Sequence, residues 1–163
     1  MRSAYGAKEI WIGAHAVTIV VDVANVMGSR PDGWWRDRAG AAVRLHAELV
    51  GLAASGRGVP PGETDPPDFV MVLEGAAKAA AGRLSAASPA DAAPGEATSG
   101  KPRPGEVRLV QAPGSGDDAI VAVVRELPGH RVVVTADREL RERCVAAGAT
   151  ILGPGWLLGL LHP

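Results

Sequence analysis

The sequence predicts an α/β fold, with a mostly parallel five-stranded sheet layered between helices. Three observations predict it. Short runs of β-branched residues recur along the chain, segments with helical features lie between them, and Gly- and Pro-rich stretches mark the joints. The order is strand, helix, repeated until a fifth strand. Such alternation implies parallel pairing through right-handed crossovers, with helices on both faces of the sheet.

The elements follow in order. Residues 1–15 read as an irregular lead-in. Val17 to Asp22 (VTIVVD) is apolar without polar alternation, as a strand buried on both faces should be. Asp22 to Asn25 opens a loop that continues through Gly28–Gly33. A long helix is expected to start at Trp34 or Trp35 and end near Ala54. Its apolar face is Ala39, Ala42, Leu45, Leu49 and Leu52, which is helical spacing. Gly56, Gly58, Pro60, Pro61 and Gly62 form a linker.

Asp68–Glu74 (DFVMVLE) is the second strand, and the Ala-rich residues 76–87 suit a helix. Residues 88–105 are rich in Pro, Gly, Ala and Ser without period, and are expected to be a flexible insertion. A third strand is expected at Glu106–Gln111, and a helix from the turn at Gly114–Asp118 to about Leu127. Arg131–Thr135 is the fourth strand, and Asp137 starts a helix that ends near Gly148. Ala149–Leu152 is the fifth strand, and Trp156–Leu161 (WLLGLL) an apolar helical turn.

The length of 163 residues fits one domain, spanning 1–163. Apolar residues make up 47%, enough for a core, yet only one Phe, one Tyr and four Trp contribute to it. The net charge of −1 argues against a strongly basic, non-specific nucleic-acid binder, while leaving room for a local basic patch. Cys144 is the only cysteine, so neither an internal disulfide nor a cysteine-based zinc site is available. The apolar run Val17–Val21 is too short for a secretory signal. No stretch approaches the roughly 20 apolar residues of a membrane span. A cytoplasmic location without membrane contact is expected.

The chemistry is expected at the C-terminal edge of the sheet, where open parallel sheets bind ligands. Asp22 ends the first strand and Glu74 the second. Asp117 and Asp118 follow the third, and Asp137 follows the fourth. Each acid at a helix start also fits an N-cap, whose carboxylate accepts orphan amide hydrogen bonds. Taken singly, capping is the stronger reading for Asp117, Asp118 and Asp137. Asp22 is harder to explain so, and the four junctions together favour a site.

Clustered carboxylates repel unless cations neutralise them, and oxygen donors without Cys or His suit Mg²⁺ or Mn²⁺. Two such ions about 3.5–4 Å apart can activate water and hold the leaving oxygen of a phosphodiester. Asp22, Asp118 and Asp137 are the expected principal metal ligands. Asp117 is a further ligand or stands behind them, and Asn25 orients Asp22 or touches a phosphate.

Three segments carry a resemblance: Asp22-Val-Ala-Asn25-Val, Ser115-Gly-Asp-Asp118-Ala-Ile-Val and Val134-Thr-Ala-Asp137-Arg-Glu. In order, strand-end position and D-x-x-N spacing they resemble the acidic motifs of the NYN branch of the PIN-like nucleases. The resemblance runs from about Val17 to Trp156, with residues 76–105 uncovered. It implies a Rossmann-like PIN fold with strand order 3-2-1-4-5 and strand one central. It also implies RNA cleavage dependent on Mg²⁺ or Mn²⁺, with single-stranded or structured RNA as partner. A nucleotide or phosphomonoester hydrolase using the same acids, and a catalytically silent RNA- or protein-binding domain, are the alternatives.

Around this site, Trp34 and Trp35 are candidates for stacking on bases, with one expected to be buried and the other partly exposed. Arg30, Arg36 and Arg38 are candidates for steering a phosphate backbone, and a solvated helix face explains them equally well. The four histidines share no metal-ligand spacing, and Ser29 and Ser115 lack a His partner. Gly114-Ser-Gly116 lacks the Lys of a P-loop. The Asp22 motif lacks the second Asp of haloacid-dehalogenase-like phosphatases. The apolar C-terminal segment either packs into the fold or joins two copies as a homodimer.

Overall fold

A computed structural model describes residues 17–87 and 107–163. The expected lead-in at 1–15 and insertion at 88–105 lie outside the described residues. Five strands form the sheet: β1 (Val17–Asp22), β2 (Asp68–Leu73), β3 (Val107–Gln111), β4 (His130–Val134) and β5 (Thr150–Leu152). All four pairings are parallel, so the sheet is wholly rather than mostly parallel. The strand order is β3-β2-β1-β4-β5, with β1 central, as in a Rossmann-like PIN fold.

Every residue of β1 is buried. Its apolar side chains divide between two cores by the period-two alternation of a strand. Ile19 and Val21 join Phe69, Met71, Val132 and Val134 on one face. There they meet Leu45, Leu49 and Leu52 of α2 (Arg38–Ala54), together with α1 (Val23–Gly28) and α6 (Pro154–Leu161). Val20 joins Val70, Val72 and Val133 on the other face. These pack under Ile120 and Val124 of α4 (Gly116–Glu126) and Leu140 and Cys144 of α5 (Arg138–Ala146). The remaining helix, α3 (Ala79–Ala87), follows β2 and packs on α2.

The structure differs from the sequence expectations in three places. The segment after Asp22 is the helix α1, not an open loop, because the Asp22 side chain accepts the Asn25 N–H and caps the first turn at once. Trp34–Arg36 is a separate 3₁₀ turn. Asp37 then starts α2 by accepting the Gly40 N–H at 2.9 Å, later than expected. β4 begins at His130 and ends at Val134, and Thr135 beyond it keeps its N–H on the Leu152 carbonyl while its hydroxyl reaches Asp22.

The C-terminal segment is a helix packed into the chain. Leu157 is fully buried, and Trp156, Leu158, Leu160 and Leu161 lie half-buried against the α2 core. Among the described residues no helix is long and apolar enough to cross a membrane.

Candidate active site

Parallel strands that share a direction end on one edge, so the residues following β1, β2, β3 and β4 meet there. Asp22 is 8% exposed at the end of β1. Its Oδ2 accepts a hydrogen bond from Thr135 Oγ1 at 2.8 Å and its Oδ1 accepts one from Asn25 N at 3.3 Å. Thr135 Oγ1 also accepts from Asp137 N at 3.2 Å, and Asn25 Oδ1 accepts from Ala136 N at 2.8 Å. The β1 and β4 connections are thereby tied together through side chains. Asn25 acts in this geometry as a fastener, with its amide oxygen committed to backbone.

Burial pushes the Asp22 carboxyl up to about 6. The bonds from Thr135 and Asn25 pull the other way, and the carboxylates of Asp117 and Glu74 push it further up. Asp117 is raised as well, first by burial and then by the charges of Asp137 and Glu74, with Arg143 opposing. Asp22, Glu74, Asp117 and Asp137 therefore form one electrostatic group.

Glu74 extends across to α4, where its Oε2 accepts the Gly116 N–H at 2.6 Å. A Cβ on Gly116 would collide with that carboxylate, so glycine is what lets the helix start this close to it. Glu74 thus secures the turn that presents Asp117. Ser115, rather than either Asp, caps α4 by accepting the Asp118 N–H at 3.2 Å. Asp137 caps α5 by accepting the Leu140 N–H at 2.9 Å, so it combines the capping role with a place beside Asp117.

Successive residues on a helix point about 100° apart, and this separates Asp117 from Asp118. Asp117 faces the acids. Asp118 is exposed and binds Arg143 Nη2 at 2.8 Å, and that bond lowers its carboxyl below the usual range. The group of mutually acting carboxylates thus contains Asp117, while Asp118 is engaged by Arg143.

Arg30 also stands elsewhere. Its guanidinium, on a side chain only 13% exposed, binds Glu48 Oε2 at 2.7 Å and lies 3.1 Å from His162 Nε2. It fastens the loop after α1 to α2 and the C-terminus. Trp34 is half-buried against the core with the Arg38 guanidinium 5.3 Å over its ring, whereas Trp35 is 56% exposed with Arg36 at 5.9 Å. Two open clefts lie away from the acids. One is lined by Arg141, Val145 and Ile151 between α5 and β5, the other by Arg30, Arg44 and Leu158.

Thr135 was not among the expected site residues. Its signal in the sequence is a hydroxyl immediately after an apolar strand and two residues before Asp137. Glu74 was visible as a strand-end acid, but its bond to Gly116 joins residues 42 apart in the chain. Arg143 gave no local signal.

The donor set is oxygen only, and its charges raise one another towards protonation, which is the chemistry a hard cation would relieve. Among the described residues, however, no three His, Cys, Asp or Glu side chains are gathered so as to hold one ion.

The strand order and the strand-end acids invite comparison with known proteins. The fold is similar to that of Rae1 (YacP) from Bacillus subtilis. The TM-score to that crystal structure is 0.55 at 15% identity, over 88% of this chain and 74% of the other. No family model matches the chain, and no curated protein does. The likeness to Rae1 establishes the architecture, a sheet in the order 3-2-1-4-5 flanked by helices.

Proposed function

We propose that the protein is a metal-dependent endoribonuclease that hydrolyses RNA phosphodiester bonds at the acidic edge formed by Asp22, Asp117 and Asp137. The observation that carries this reading is electrostatic. Burial and neighbouring carboxylates hold both Asp22 and Asp117 above their ordinary range, a cost that a purely structural cluster has no reason to keep. The resemblance of the three motifs to NYN and PIN-like nucleases and the shared fold support it.

In this reading Asp22, Asp117 and Asp137 are the carboxylates that would have to draw together around a bound metal ion, since they are not gathered about one point without it. Bound Mg²⁺ or Mn²⁺ would supply the Lewis acidity that activates water and stabilises the leaving oxygen. Thr135 fixes the orientation of Asp22 by donating to Oδ2. Glu74 holds the start of α4 so that Asp117 stays aimed at the group. Asn25 keeps the β1 and β4 connections in register. Arg36 at the end of the 3₁₀ turn and Arg38 at the start of α2, both exposed, attract the phosphate backbone.

The test is incubation of end-labelled single-stranded and hairpin RNAs with Mn²⁺, Mg²⁺ or chelator, beside Asp22→Asn, Asp117→Asn and Asp118→Asn. Metal-dependent cleavage is expected, with activity falling by roughly a hundredfold or more in Asp22→Asn and Asp117→Asn. The loss in Asp118→Asn should be much smaller. RNA left intact by the parent chain under every condition would overturn the ribonuclease reading. Release of phosphate from small nucleotides alone would assign the same acids to a nucleotide hydrolase. Equal losses in Asp117→Asn and Asp118→Asn would overturn the separation of their roles.

A further inference from the structure

We propose that Trp35 is a stacking platform for an unpaired base, which makes single-stranded RNA the form this protein engages. The inference rests on reading RNA as the substrate and adds the feature that selects its form.

Only Trp35 and Val145 are large apolar residues left exposed among the described residues, and Trp35 presents far the larger surface. Its ring is held in place. Trp34 meets it at 88° with ring centroids 6.2 Å apart, and Trp34 is itself seated against the α2 core beneath Arg38. The Trp34 amide donates to Asp32 Oδ1 at 3.2 Å, which fixes the turn before the pair. Trp34 is thus the buttress and Trp35 the presented surface.

The surroundings are cationic. Arg36 and Arg38 lie over the two indole rings, and Arg44 and Arg83 both act on Asp37 between them, while Arg30 is turned away to Glu48. Asp37 is engaged by the Gly40 N–H and by Arg83 at 3.4 Å. The Arg36 guanidinium lies 5.9 Å from the Trp35 ring centroid. A rigid aromatic face beside fixed positive charge matches the two parts of a nucleotide, a flat base and an anionic phosphate.

The location agrees. The 3₁₀ turn at Trp34–Arg36 lies on the connection that leaves the C-terminal end of β1, between α1 and α2. α2 packs against the turn at Gly75–Lys78, which follows β2 and Glu74, and its N-cap Asp37 lies 3.4 Å from Arg83 of α3. Platform and acids therefore share one edge of the sheet. Inside a duplex the base faces are stacked on each other and only the two ends are open, so along a strand it is an unpaired base that can lie on Trp35.

The experiment measures binding of the full chain, in chelator so that nothing is cut, to a fluorescent decauridylate and to a blunt duplex. Trp35→Ala is expected to weaken single-strand binding roughly tenfold or more, Trp35→Phe to retain most of it, and duplex affinity to stay as in the parent. Full single-strand affinity in Trp35→Ala overturns the proposal. Equal loss on both RNAs overturns it too, by making the contact one with the backbone. So does a change in sedimentation without a change in RNA affinity, which would make Trp35 a contact between copies. A parent chain that binds in this Trp35-dependent way but never cleaves with metal overturns the nuclease reading and leaves the platform standing. Cleavage lost in Asp22→Asn but indifferent to Trp35 does the reverse.

Discussion

Asp22 shows how one residue can oppose the stability of the fold it sits in. Its carboxyl titrates near 6 in the folded protein against an ordinary value of 3.8. A carboxyl raised in this way contributes stability that is fully present below the unfolded value and is lost as pH rises through about 6. At pH 7 the buried, ionised group then opposes folding by on the order of 3 kcal/mol. Asp22→Asn, which keeps an amide oxygen facing Thr135, should raise the urea midpoint at pH 7 in chelator, and the gain should shrink towards pH 4. A midpoint lowered or unchanged at pH 7 would contradict the cost assigned to burial. A side chain that weakens the fold while sitting against a dedicated hydroxyl is more simply explained by chemistry than by packing.

Among the elements, the helices on the α4–α5 face depend on one strand residue. Arg131 reaches from β4 to donate Nη1 to the carbonyls of Val124 and Leu127, each at 3.1 Å, and Nη2 to the carbonyl of Ala147 at 3.1 Å. These are orphan carbonyls at the ends of α4 and α5, where a positive charge also complements the helix dipole. Gly148 ends α5 at φ +93°, and a Cβ there would approach Arg131 Nη2 to 2.7 Å. Glycine is needed both for the backbone and for the guanidinium. Arg131→Met keeps the aliphatic stem and removes the three bonds. It should destabilise the protein by about 2 kcal/mol, seen as a lower urea midpoint at unchanged slope. Since Thr135, the neighbour of the acids, directly follows β4, this anchoring joins the helices to the strand that leads into the site.

For the molecule as a whole, a net charge of −1 means that no global field draws in a polyanion. The proposed RNA binding therefore rests on the local group of arginines near Trp35. Each phosphate contact to a single strand contributes about 0.7 to the slope of log affinity against log salt. Replacing both Arg36 and Arg38 by Ala should therefore reduce that slope by about 1.4 and weaken binding most at low salt. A slope equal to the parent's would remove both from the phosphate path.

The sequence by itself determined the architecture. Five β-branched runs alternating with helical segments leave few arrangements other than a parallel sheet between helices, because strands buried on both faces must be apolar throughout. β1 and β2 could be read almost to the residue for that reason, and Asp22 and Asp137 stood out as acids at strand ends. Two local caps went unread, and the local rules failed altogether where distant residues decide. The loop after Asp22 is a helix because Asp22 caps it, and α2 starts at Arg38 because Asp37 captures Gly40. Which of two adjacent aspartates faces the group follows from the phase of α4, set by its packing on β1 and β2. Arg30 faces Glu48 and His162 instead of the site because the C-terminal helix folds back beside α2. Only the tertiary structure could bring Thr135 to Asp22 across 113 residues of chain, or Glu74 to Gly116 across 42, since hydrogen bonds and charge repulsion depend on distance in space.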